Sequence, residues 1–79
     1  MAFQIVRVES NPNGEVISRR PSDPVFELLE HAQAMAQFDA SRCRGDYGYD
    51  PTDDCWWGRD RSGAIVRFIV EPAAIEVAA

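Results

Sequence analysis

Four aspartates stand within nine residues, at Asp46, Asp50, Asp53 and Asp54, interleaved with Tyr47 and Tyr49 and followed by Trp56 and Trp57. Carboxylates at that density are the ligands that hard cations take. The spacing, however, departs from the EF-hand calcium loop, which needs acidic or amide ligands at its first, third and fifth positions, glycine at its sixth and glutamate at its twelfth. Cys43 and Cys55 bracket the stretch with no second pair and no Cys-x-x-Cys, so a zinc site would have to recruit His31 and a carboxylate. His31 is the only histidine, and no Ser or Cys lies close to it in sequence with a third group to orient it. The tripeptide Arg44-Gly45-Asp46 is too short to signify adhesion, and no glycine-rich phosphate cradle appears. These residues predict no catalytic site, no metal and no cofactor, hence a protein that is not an enzyme. Two reduced thiols are expected in preference to a disulfide, in keeping with a cytoplasmic chain.

Recognition is the chemistry left to the acidic stretch. Tyr47, Tyr49 and Trp57 are amphipathic aromatics of the kind enriched at interface hot spots, and Asp46, Asp50, Asp53 and Asp54 suit arginine or lysine on a partner. Net charge is −5, and residues 46–54 contain no cation, although Arg42, Arg44, Arg59 and Arg61 flank them. Direct nucleic-acid binding needs a basic footprint, and no such patch stands out in the sequence. The expected partner is a basic nucleic-acid-binding protein or complex, drawn in by electrostatic steering. The plainer reading makes the tyrosines a cover for the edge of a small core and the aspartates turn caps, Asp50-Pro51 above all.

A chain of 79 residues makes one small domain, with residues 72–79 as a tail or short extra strand. Its composition, 46% hydrophobic and 27% charged, is that of a soluble globular protein, and no apolar run approaches the roughly 20 residues of a membrane helix. Residues 1–6 read as a strand and carry no secretory pattern, so a cytoplasmic location is expected. All eight cations are arginine, which fits the coding bias of a GC-rich genome.

The elements that must position these residues follow from periodicity and turn chemistry. Residues 3–9 and 15–19 predict a hairpin across Asn11-Pro12-Asn13-Gly14, with Arg7 opposite Arg19. Asp23-Pro24 predicts a helix start, with Ser22 as the alternative cap. Val25, Leu28, Leu29, Ala32, Met35 and Ala36, widened by Phe26 and Phe38, predict its buried stripe as far as about Arg42. An irregular acidic crossover then leads to a second hairpin, residues 55–60 and 64–71, around Asp60-Arg61-Ser62-Gly63. A left-handed glycine there pairs Trp56 with Phe68 and Trp57 with Arg67. Neighbouring strand side chains point to opposite faces, so Trp56 enters the core and Trp57 lies on the far face with Ile65 and Ile69, within reach of a cation–π contact to Arg67. That far patch needs a cover: the tail with Ile75 and Val77, a second copy in a homodimer, or a partner. The predicted fold class is α+β, an antiparallel sheet of about four strands (ββαββ) with one helix packed on one face.

In length, in net charge and in the acidic cluster of residues 46–54 with its tyrosines, the chain resembles the small acidic phage-encoded anti-CRISPR proteins, several of which act as nucleic-acid mimics. The resemblance is one of type and carries over no residue roles. It implies an inhibitor that occupies the nucleic-acid groove of a CRISPR effector complex in the host bacterial cytoplasm. The alternatives are a small bacterial accessory protein that binds a protein or itself through the Trp57 face, and an enzyme or metal protein built on His31, Cys43, Cys55 and the aspartates.

Overall fold

Runs of β-branched and aromatic residues near both ends of the described chain pair with each other and build the middle of a sheet. A computed structural model describes residues 2–22 and 24–73. In it β1 (Phe3–Ser10) and β5 (Ile65–Pro72) run antiparallel over eight facing pairs, from Phe3 opposite Pro72 to Ser10 opposite Ile65. On either side lie β2 (Val16–Pro21) and β4 (Cys55–Arg59), and β3 (Tyr47–Asp50) forms the edge beyond β4. The order is β2-β1-β5-β4-β3, every neighbouring pair antiparallel. The helix α1 (Leu29–Ser41) links the β2 edge to the β3 edge.

The sheet thus has five strands and the order ββαβββ, in place of the four of ββαββ. The difference is the acidic crossover, which is itself a hairpin. Tyr47 and Tyr49 supply β-forming side chains, and residues 51–54 make the turn. Asp50 accepts backbone hydrogen bonds from Thr52 (2.9 Å) and Asp53 (3.4 Å), and Asp54 takes the left-handed conformation at φ 50° that Asp tolerates better than most residues.

Two turns at one end of the sheet share one design. In each, a side-chain oxygen, from Asn11 or Asp60, accepts the backbone N–H groups two and four residues on, at 2.9–3.2 Å. A glycine at positive φ closes each turn, Gly14 at 91° and Gly63 at 89°. The second turn sets the predicted register, Trp56 opposite Phe68 and Trp57 opposite Arg67. The first differs from expectation. A bulge between Glu9 and Ser10 moves the pairing by one residue, so Arg7 faces Arg20 and Val8 faces Arg19.

The helix starts at Leu29, five residues later than Pro24, and Leu28 caps it without a side-chain hydrogen bond. Residues 24–28 lie beside β1 instead: Phe26 and Phe3 exchange two backbone hydrogen bonds of 2.7 Å. Ser22 donates its N–H to the Ile5 carbonyl in place of capping, and Asp23 lies outside the described residues. Pairing with β1 and burial of the Phe26 ring against the core outweigh local helix propensity here.

Only alanines are buried on α1: Ala32, Ala36 and Ala40. Their small side chains bring the helix close to the sheet, where Gly58 leaves room for it. A Cβ at Gly58 would meet Cys43 Sγ and lie 3.0 Å from the Ala40 carbonyl oxygen. Ile5, Ala36, Ala40, Val66 and Phe68 form the core, with Phe26, Cys43, Trp56 and Val70 packed against it. Val25, Leu28, Leu29, Met35 and Phe38 are exposed, contrary to the predicted stripe: Val25 and Leu28 precede the helix, and the close contact turns the alanine face inward and leaves Leu29, Met35 and Phe38 at its margins.

Candidate functional site

The acidic stretch becomes the β3–β4 hairpin at one edge of the sheet. Opposed residues share a face, so Tyr47 (opposite Gly58) and Tyr49 (opposite Trp56) stand on the helix side, and Trp57 (opposite Gly48) stands on the other. Tyr47 and Tyr49 are 47% and 45% exposed. Of the seven expected site residues, the structure brings Tyr49, Asp50, Asp53 and Asp54 to the turn end of the hairpin. Asp46 and Tyr47 lie at its other end, and Trp57 is separated from them by the sheet.

Tyr49 joins the aromatic and acidic parts. Its ring meets Trp56 edge-on, with centroids 5.4 Å apart and planes at 60°, and its hydroxyl donates a hydrogen bond to Asp54 Oδ1. That bond holds the Tyr49 phenol above its ordinary pKa. Between this pair and the helix runs a groove of about 540 Å³, floored by Trp56, Phe68 and Val70 and rimmed by Glu30 and Asp54. Gln33 and Gln37 of α1 complete the helix wall. An apolar floor with a carboxylate on each rim suits a long basic side chain: its methylenes lie on the floor while its charge meets the rim.

The other expected residues have local partners. Asp46 lies 3.8 Å from Arg59 in an exposed ion pair. Asp50 caps its own turn. Trp57 is half-buried, its ring against Gly48 and its cation–π partner Arg59, at 6.0 Å, in place of the expected Arg67. Ile65 and Ile69 on the same face are also half-buried, and Val6 and Val8 beside them are buried. Among the described residues the most exposed large apolar side chains are instead Val16 and Ile17 of the edge strand β2, at 62% and 61%. Ile75 and Val77 lie outside the described residues.

Cys43 and Cys55 are free thiols, and burial pushes both above their ordinary pKa. Among the described residues no three His, Cys, Asp or Glu side chains gather as a metal ion would require. Also among the described residues, no helix is long and apolar enough to cross a membrane.

Contrary to the expectation that no basic patch stands out, the fold gathers one. Arg7, Arg42, Arg44 and Arg61, from β1, the helix C-terminus, the following loop and the β4–β5 turn, line a second groove of about 660 Å³. The only signal in the sequence was the flanking of the acidic run by arginines, and Arg7 lies far outside it.

Fold and site together define a small α+β domain with an acidic, aromatic edge hairpin. No protein-family model, curated protein or solved structure matches the chain.

Proposed function

We propose that this chain is a non-enzymatic protein-binding module whose acidic hairpin engages a basic nucleic-acid-binding protein or complex, such as a CRISPR effector, where nucleic acid would otherwise lie. The observation that carries the reading is the groove between α1 and the hairpin, with Glu30 and Asp54 on its rims and exposed Asp53 beside it. An arginine or lysine of the partner seats there, and the remaining carboxylates extend the negative surface. From Asp46 to Asp50 the edge spans about 13 Å at strand rise, comparable to about four nucleotide steps of one strand. Asp50, Asp53 and Asp54 crowd one end of that edge, and Asp46 at the other is paired with Arg59, which a partner's cation would have to displace.

A second reading, self-association or binding through an apolar surface, rests on Val16 and Ile17 at the open β2 edge more than on half-buried Trp57. Capture from bacterial lysate separates the two. The informative variant is the triple Asp50→Asn, Asp53→Asn, Asp54→Asn: asparagine keeps a side-chain acceptor for the turn and tolerates the left-handed position, so charge is lost and geometry kept. Loss of a salt-sensitive nucleic-acid-binding partner with an unchanged thermal midpoint supports the proposal. Capture that survives in the variant places the contact elsewhere.

A further inference from the structure

The groove at the helix C-terminal end has the opposite character to the acidic hairpin. Its walls bring four guanidinium groups, Arg7, Arg42, Arg44 and Arg61, against two carboxylates, Asp39 and Asp60. Asp60 is already committed to its turn: its Oδ1 accepts hydrogen bonds from Ser62 N (2.9 Å), Ser62 Oγ (2.6 Å) and Ala64 N (3.2 Å). Arg7 pairs with Glu9 at 3.2 Å, whereas among the described residues Arg42, Arg44 and Arg61 form no ion pair. Arg20 stands directly opposite Arg7 on the helix side of the sheet, a like-charge pair that weakens strand pairing and that an anion would relieve. Ser22 adds a hydroxyl to the lining, and Cys43 is half-buried in it.

From this geometry we infer that the arginine groove is a binding site for a small phosphorylated ligand carrying at least two negative charges, of the diphosphate type. Guanidinium forks match phosphate oxygens in pairs, and a groove of about 660 Å³ lies within the range of roughly 300–1,000 Å³ common for small-molecule sites. The four guanidiniums and two carboxylates of the lining leave a net charge of +2, which a doubly charged ligand matches. The site lies at the opposite end of α1 from the acidic turn and does not depend on what that turn binds.

Cys43 supplies a reporter, since Cys55 is only 2% exposed. The test is titration of the full chain with inorganic pyrophosphate, read by calorimetry and by the rate of Cys43 alkylation. Saturable binding that slows alkylation is expected. Arg42→Gln, Arg44→Gln, Arg61→Gln together should weaken it at least about tenfold, as loss of charge-assisted hydrogen bonds requires. All three arginines are exposed, so the folded state should persist, which the thermal midpoint checks. The triple aspartate variant of the acidic hairpin should bind pyrophosphate as the parent does, so failure of one reading is distinguishable from failure of the other. No saturable binding at millimolar pyrophosphate, binding unchanged in the triple arginine variant, or binding of a single-stranded oligonucleotide without binding of pyrophosphate would each overturn the inference.

Discussion

Tyr49 packs edge-on against Trp56 across β3 and β4, with ring centroids 5.4 Å apart. One tyrosine thereby belongs to two environments: its ring extends the aromatic floor and its hydroxyl binds the acidic turn at Asp54. The hairpin that carries the negative charge is tied to the groove beside it through this side chain.

The tie is measurable by titration. Asp54 raises the Tyr49 pKa chiefly by accepting its hydrogen bond, so the neutral phenol is the favoured form. The stability this bond contributes is complete below the ordinary tyrosine pKa of about 10 and is lost as pH rises through the raised value. With Tyr47→Phe leaving Tyr49 as the only tyrosine, Asp54→Gly should lower the phenol titration midpoint seen by absorbance. Glycine suits the positive φ at that position, so backbone strain does not confuse the result. An unmoved midpoint would contradict the bond.

At Gly58 the sheet comes close to the C-terminal end of the helix and to Cys43 just beyond it. Gly58→Ala places a Cβ against Cys43 Sγ and 2.7 Å from Cys43 Cβ, and overpacking of this kind costs about 1–3 kcal/mol. Cys43→Ala in the same chain should recover part of the loss in a denaturant-unfolding cycle. Additive losses would show that the two positions do not meet.

Ser10 is 2% exposed, and among the described residues its hydroxyl has no hydrogen-bond partner. Removing a buried hydroxyl that lacks a partner removes a desolvation cost of about 1–3 kcal/mol, offset in part by the lost packing volume. Ser10→Ala should therefore leave the unfolding midpoint unchanged or raise it. A fall in the midpoint would reveal a bond to this oxygen.

The two thiols should differ in rate. Both are pushed above the ordinary value by burial, which makes the reactive thiolate scarce near neutral pH. In the folded chain alkylation should modify Cys43 first and leave Cys55 untouched until unfolding, as peptide mapping by mass spectrometry would show. Equal labelling would contradict the burial of Cys55.

The β4–β5 register was readable from sequence because turn chemistry is local: Asp60 and Gly63 define the turn, and the turn defines which tryptophan faces Phe68. The helix start was not readable, because Phe26 pairs with Phe3, distant in sequence, and that contact overrides a proline start signal. Strand β3 is not legible in the sequence, since Gly48 and Asp50 are poor strand formers and only pairing with β4 holds them extended. At the site, the acidic turn was visible as a run of residues. Its groove was not, since Glu30 of the helix and Trp56 of the sheet meet only in the fold. The arginine groove was hidden for the same reason.

Competition for the captured complex tests the mimicry most directly. A nucleic-acid-binding complex recovered with this chain is given its own nucleic acid, and the bound fraction is followed as this protein is added at fixed salt. Mimicry predicts mutual exclusion that weakens as salt rises and vanishes for the triple Asp50→Asn, Asp53→Asn, Asp54→Asn chain. A ternary complex in which nucleic acid and this protein bind together would contradict it.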